Sequence, residues 1–253
     1  MRIAVLTKRH WGFCAVFRDL AERRGHEVAS FDLTNLAIDD TLGDFDLVVL
    51  KSKQLYFLYA GFHAKALGVT VVPEPQICKQ VSTRIEMPFL AARAGIATPR
   101  FYFASPKALR EGLAARDFPL VRKRIVGSGS VGVELISSHA ELPETTDQHL
   151  YLEEFVPGQH LLVYFIEDVA RVFEKQPFVS GRMPVRRIGT PDDVTSAVER
   201  WRRVTGLEFG HLDFVRDNRT NELVLVDSGP FPQFWHWPSA AERVSSIVLG
   251  HLR

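Results

Sequence analysis

Two aspartates inside apolar strands are the first residues of this sequence with a chemical use. Asp213 lies in GHLDFV and Asp227 in ELVLVDSG, with the polar turn RDNRTNE between them. Adjacent antiparallel strands joined by that loop bring both carboxylates to one place, where they repel unless a divalent cation neutralises them. Oxygen-only ligation favours Mg2+ over zinc or copper. The alternative is one hydrogen-bonded core aspartate and one turn aspartate.

Lys123 poses the complementary question, because PLVRKRIV sets a charge in an apolar strand. Its ammonium either reaches solvent from an edge strand or meets an anion. Residues 127–132 follow as GSGSVG, a match to G-x-G-x-x-G. That pattern holds a dinucleotide only between a strand and a helix, whose N-terminus supplies the amides for the pyrophosphate. Here the next residues, VGVELI, are strand formers too, so the unit is a hairpin. Its tip is either an ordinary turn or a lid whose amides bend over a polyphosphate. Further on, YLEEFVPG can offer backbone groups to a flat heterocycle, with Phe155 and Val156 as apolar walls; a plain strand end would look the same.

Strands and helices must hold these residues in place. The first 75 residues alternate the two: RIAVL, an amphipathic stretch around 13–24, HEVASFDL, DLVVL, a helix near 55–67, then VTVV. That order predicts a small parallel α/β unit. Its first turn, TKRHWGF, has one glycine where a dinucleotide site needs several, so no nucleotide is assigned to it. Lys8, His10 and Trp11 there are a surface turn or, as turns at strand C-termini can be, part of a ligand crevice. Pro73 and Pro75 mark a boundary. A helix over 82–94 capped by Gly95 opens a second unit, 76–148, which carries the glycine hairpin. The third, 149–253, holds the aspartate strands and a helix at 192–205, with Ala197, Val198, Trp201 and Val204 at helical spacing.

Composition bounds what such a chain can do. The 253 residues are 46% hydrophobic, enough for a sizeable core. Lys plus Arg number 31 against 30 Asp plus Glu, a net charge of +1, so no global field grips nucleic acid or an anionic membrane. No run approaches the roughly 18 apolar residues of a membrane span. Cys14 and Cys78 show neither metal spacing nor a disulfide framework, which suits a reducing cytoplasm. The expectation is a soluble cytoplasmic protein, with a homodimer as the default assembly.

Taken in chain order, these motifs resemble the ATP-grasp superfamily, in the style of the ribosomal-protein glutamate ligases of the carboxylate-amine ligase group. The resemblance covers roughly residues 72–234. It implies an α/β fold in which a Rossmann-like N-terminal unit precedes a two-lobed, α+β ATP-grasp domain. It implies ATP and Mg2+ as cofactors, with Lys123 on the α and β phosphates and Gly127, Ser128, Gly129, Ser130 and Gly132 as the lid over the β and γ phosphates. LEEFVPGQH matches the adenine hinge, implying Glu153, Glu154, Phe155 and Val156 around the base and His160 at the ribose position, where the family carries an acid. Asp213 and Asp227 are the implied metal ligands. Arg84 stands where a phosphate-binding lysine is usual, and Gly229 stands where an asparagine usually helps hold a second Mg2+.

The implied chemistry is phosphorylation of a carboxylate to an acylphosphate, which an amine attacks to form an amide or peptide bond. Lys175 is then the candidate for the γ phosphate. Arg182, Arg186 and Arg187 are candidates for the substrate carboxylate or the acylphosphate, or else a solvated loop. Trp235, His236 and Trp237 either wall the acceptor pocket or pack. Substrates would be small-molecule or peptide carboxylates and amines. Two further readings keep the nucleotide site: a small-molecule kinase, since the grasp also resembles that of inositol phosphate kinases, and a non-catalytic ATP-binding regulatory protein, motivated by Gly229 and His160.

Overall fold

The computed structural model describes residues 1–8, 12–127, 132–144, 148–177 and 184–252. The first unit runs β1 (Arg2–Leu6), α1 (Phe13–Arg23), β2 (Glu27–Phe31), β3 (Leu47–Leu50), α2 (Leu55–Ala66) and β4 (Thr70–Val72). Its strands pair in parallel in the order β2-β1-β3-β4. Both faces of such a sheet are covered, which is why β3 reads LVVL and is buried throughout. The expected α/β unit is present.

The expected single helix over 82–94 is instead two, α3 (Pro75–Ser82) and α4 (Met87–Arg93). Pro88 has no N–H to give a preceding turn and its ring excludes a helical carbonyl four residues earlier, so the helix restarts just before it. Gly95, at φ +62°, follows α4 in the left-handed conformation that its missing Cβ permits. The break matters for the site. Thr83 bridges Val126, and the Arg84 N–H donates to the Ile125 carbonyl at 3.1 Å, so Arg84 is fixed beside the strand that carries Lys123.

A second sheet follows from β5 (Phe101–Ala104), α5 (Pro106–Gly112), β6 (Leu120–Lys123), β7 (Glu134–Ile136) and β8 (Leu150–Glu154), antiparallel in the order β5-β8-β6-β7. β6 and β7 make the expected hairpin, with Leu120 opposite Ile136. The sequence reading set LYLEE at the head of the third unit; β8 is hydrogen-bonded between β5 and β6 and so belongs to this sheet. Leu120, Ile136 and Leu152 on one face pack with Leu109 and Leu113 from around α5. Alternation sends Lys123 and Glu153 to the other face.

The third sheet contains β9 (Gly158–Ile166), β10 (Val169–Lys175), β11 (Val185–Ile188), β12 (Phe209–Asp217) and β13 (Leu223–Gly229), antiparallel in the order β11-β10-β9-β12-β13, with α6 (Asp192–Thr205) inserted after β11 and α7 (Ala240–Leu249) closing the chain. Leu161, Val163, Phe165, Val172, Leu212 and Phe214 face α4 and α6, where Trp201 is fully buried. The opposite face carries the polar residues. α7 packs on α1, and one core joins Phe13 and Phe17 of the first unit to Tyr164, Phe173, Trp237 and Val244 of the third.

The passage from the second sheet to the third is tight. A Cβ on Gly158, at the start of β9, would lie 1.9 Å from the Arg216 carbonyl oxygen. Gly158→Ala is expected to destabilise the fold by at least about 1–3 kcal/mol, whereas Gly189→Ala, with open space around it, stays within about 0.5 kcal/mol; urea unfolding measures both.

Candidate functional site

The β6/β8 face of the second sheet and the polar face of the third look onto one cavity of about 890 Å³, closed on a third side by the β1–α1 and β3–α2 connections of the first unit. Asp213 and Asp227 sit directly opposite each other on β12 and β13, and the register shifts immediately after Asp213, a bulge of the kind that re-aims side chains beside sites. Each carboxylate has a cation. Lys175 Nζ lies 2.5 Å from Asp213 Oδ2, and Arg84 Nη2 lies 3.1 Å from Asp227 Oδ2. Burial alone would raise the Asp227 pKa; the positive charges of Arg84, Lys53 and Lys123 outweigh it and hold the carboxyl well below the usual carboxylate range. Among the described residues, Asp213 Oδ1 is buried without a hydrogen-bond partner.

A third pair joins the two sheets to the same centre. Lys123 is ion-paired with Glu153 on neighbouring β8 and donates to the Val226 carbonyl at 2.9 Å, one residue before Asp227. Glu153 also accepts from the Tyr151 hydroxyl at 2.9 Å. Burial first, and the Glu153 charge second, push the Tyr151 phenol up, so it stays a donor. The hinge after β8 adds Phe155 and Val156, which with Val121 and Val215 form an apolar stretch of the wall. Glu154 lines the cavity and lies 3.9 Å from Arg219.

His160 stands on β9 opposite Lys175 and lines the cavity. Burial lowers its pKa to about 4, helped by the Lys175 charge and opposed by Asp213. At neutral pH it is an uncharged imidazole. His211, two residues before Asp213 on the same face, has its pKa lowered by burial against the pull of Asp213 and Asp227. Its ring explains Gly229: a Cβ there would lie 2.3 Å from His211 Cε1. His211 therefore fills the space that a side chain at position 229 would need.

Other expected residues fall differently. Arg186 pairs with Glu174 on the exposed surface, and Arg187 is exposed on β11; neither lines the cavity. Arg182, Ser128, Gly129, Ser130, His10 and Trp11 lie outside the described residues. Gly127 lines the cavity, and Gly132, at φ +72°, lies against the Arg124 side chain. Trp235 and His236 line the cavity, whereas Trp237 is buried in the core. Sequence reasoning did not single out Lys51, Lys53, Gln54, Tyr164 or His211, all of which line it. KSKQ directly follows the apolar strand LVVL, so the same strand-terminus rule that drew attention to Lys8 points to Lys51 and Lys53 as well. Lys51 donates to the carbonyls of Phe231 at 3.0 Å and Pro232 at 3.3 Å, and burial lowers its pKa to about 8.

Comparison with proteins of known structure bears directly on this arrangement. A RimK-domain ATP-grasp protein from Sphaerobacter thermophilus superposes with a TM-score of 0.79 at 16% identity, covering 100% of this chain and 99% of that one. The chain has the ATP-grasp fold. The RiPP-associated ATP-grasp ligase of Chryseobacterium gregarium, in complex with ADP and a leader and core peptide, gives 0.70 at 11% identity, over 98% of this chain and 96% of its own. The ATP-grasp ligase PsnB, complexed with a minimal precursor, Mg and ADP, gives 0.69 at 13% identity over 98% and 97%. By sequence, the uncharacterised protein y4rH of Sinorhizobium fredii is 29% identical over 163 residues, 56% of this chain and 34% of that protein. The N5-carboxyaminoimidazole ribonucleotide synthase of Synechococcus elongatus is 32% identical over 105 residues, 39% of this chain and 27% of its own. The chain thus spans about a third of the length of the curated relatives it matches. No family model matches it.

Two measurements check this ATP-grasp cavity. The His160 imidazole should titrate by NMR near pH 4 in the folded protein. Because the folded pKa lies below the ordinary 6.5, its contribution to stability is complete above about pH 6.5 and is lost as pH falls towards 4. Gly229→Ala should cost about 1–3 kcal/mol, and combining it with His211→Ala should recover a large part of that cost, a coupling that a double-mutant cycle reads directly.

Proposed function

We propose that this protein is an ATP-dependent carboxylate-amine ligase that forms an amide or peptide bond through an acylphosphate and releases ADP and phosphate. The observation that carries the reading is the paired placement of Asp213 and Asp227 on β12 and β13, within one cavity that also holds Lys123, Lys175 and Arg84. The ATP-grasp fold and the ADP and peptide bound in its structural neighbours support it.

In this reading Phe155 and Val156 flank the adenine, with Glu153 and Glu154 at its hinge and His160, neutral, beside the ribose. Lys123 holds the α and β phosphates, Arg84 adds charge to them, and Gly127, Ser128, Gly129, Ser130 and Gly132 are assigned to the β and γ phosphates. Lys175 meets the γ phosphate. Among the described residues no three metal-ligating side chains converge; Asp213 and Asp227 are the residues that would hold Mg2+. The two carboxylates and the unpartnered Asp213 Oδ1 fit Mg2+, a hard cation that keeps water and phosphate ligands. When bound there, Mg2+ neutralises charge on the transferring phosphoryl group.

The steps balance as follows. A substrate carboxylate oxygen attacks the γ phosphorus, the bond to the β–γ bridging oxygen breaks, and ADP leaves with the electron pair. An amine then attacks the acyl carbon, the C–O bond to phosphate breaks, phosphate leaves and the amine gives up a proton. Closure of the cavity protects the mixed anhydride from water. Arg84, Lys123 and Lys175 exchange carboxylate partners for phosphate as the nucleotide enters, so none passes through an unpaired buried state.

Incubation with ATP, Mg2+ and pools of amino acids, peptides and amines is expected to release ADP and phosphate in equal amounts with a condensed product by mass spectrometry. ADP without free phosphate would instead identify a kinase. Neither product would leave a binding protein. Asp213→Asn, with its fold checked by circular dichroism, is expected to lower turnover by on the order of 10²–10³-fold, the several kcal/mol that the metal's charge supplies.

A further inference from the structure

Four cations that line the cavity, Lys8, Lys51, Lys53 and Arg124, have no task in this mechanism; Lys8 and Arg124 are exposed and Lys51 is held by two carbonyls, which leaves the half-buried Lys53. Lys53 sits in the connection from the C-terminal end of β3 to α2 and lines the cavity from the side of the first unit. The cavity's other charges are largely matched. Glu153 has Lys123, Asp213 has Lys175, Asp227 has Arg84, and Lys51 gives its ammonium to two carbonyls. Lys53 has neither a hydrogen bond nor an ion pair with a described residue, although Asp227, Arg84 and Asp213 all act on it through space.

Lys53 is half-buried, and this burial lowers its pKa, with Asp227 pulling the other way. A partly desolvated cation without a contact partner is unfavourable, and an anion that reaches it recovers part of the loss. Its surroundings favour an anion further. Gln54, the N-cap of the 12-residue helix α2, makes no side-chain capping bond, so the first-turn amides beside Lys53 lack a side-chain acceptor. Lys53 shares the cavity lining with Asp213, Asp227 and Arg84, the groups proposed to serve the transferring phosphate. Arg186 and Arg187, the residues that the sequence offers for the acid substrate, lie outside the cavity lining.

We propose that Lys53 binds the reacting carboxylate of the acid substrate, from the first unit's side of the cavity, and that this carboxylate is carried on a neutral, peptide-like body. The neighbouring lining residues Gln54, Gln233 and Trp235 offer amide and aromatic contacts of that kind. Lys53 forms no covalent bond. It stays opposite an anion throughout, first the carboxylate and then the acylphosphate. The assignment rests on the ligase reading and deepens it by naming the acid's anchor.

The test is lysine labelling with trace acetic anhydride, mapped by mass spectrometry on the intact protein. Three states are compared: free, saturated with Mg·AMPPNP, and saturated with Mg·AMPPNP plus a pool of the twenty amino acids and their glycyl dipeptides. Nucleotide alone should change the Lys53 labelling rate by less than about twofold, and the pool should slow it at least fivefold. Protection by nucleotide alone would assign Lys53 to the triphosphate and overturn the proposal, and so would an unchanged rate with the pool. Calorimetric titration with Mg·AMPPNP on the same preparation separates the failures: no heat would sink the nucleotide reading itself. Lys53→Met should keep the nucleotide Kd within about twofold while pool-stimulated ADP release falls at least tenfold, with Lys53→Arg recovering part of it. Equal losses in both measurements would refute the assignment.

Discussion

The repulsion between two carboxylates is the constraint around which this molecule is arranged. Asp213 and Asp227 are register partners on adjacent antiparallel strands, where Cβ atoms come within about 5 Å of each other. Two like charges at that spacing, partly shut off from water, would destabilise the sheet unless each met a positive group. Lys175 answers Asp213 from β10, two strands away across the sheet, and Arg84 answers Asp227 from the break between α3 and α4. The second sheet, the third sheet and the helical break are thereby tied to one centre.

Those ties are also what makes the centre usable. An empty cavity holding unpaired cations for a triphosphate and unpaired carboxylates for a metal would be costly to fold, since each isolated buried ion is unfavourable by several kcal/mol. Pairing Arg84, Lys123 and Lys175 with carboxylates removes most of that problem in the free protein. In the proposed reaction the same groups part and take phosphate and metal instead, so binding exchanges one set of satisfied charges for another. The apolar backing allows this to happen in place: Leu161, Val163, Phe165, Leu212 and Phe214 lock the reverse face of the third sheet against α6.

Much of this was legible in the chain. The hairpin of β6 and β7, the helix Asp192–Thr205 and the placement of Asp213 against Asp227 all follow from local periodicity and a short connecting loop, and the structure has each of them. What local patterns mislocated were features set by competition between neighbours. LYLEE looks the same whether it begins a new unit or completes an old one, and only hydrogen bonds to β5 and β6 decide it. Arg186 and Arg187 look like anion binders in isolation, yet both are exposed on the edge strand β11, and Arg186 pairs with Glu174. Lys53 follows a strand end and His211 lies two residues before Asp213, but that both line the cavity is decided by the packing of the three sheets.

The sequence by itself determined the element types and the identity of the paired aspartates, because strand alternation, helical spacing, proline breaks and turn residues act over a few residues. Tertiary structure alone decided which cations meet which carboxylates, why residue 229 must be glycine beneath the His211 ring, and that Lys53 is left over. Those outcomes depend on charges and van der Waals surfaces brought together from separate elements, as far apart in the chain as Arg84 and Asp227, and no short-range rule carries that information.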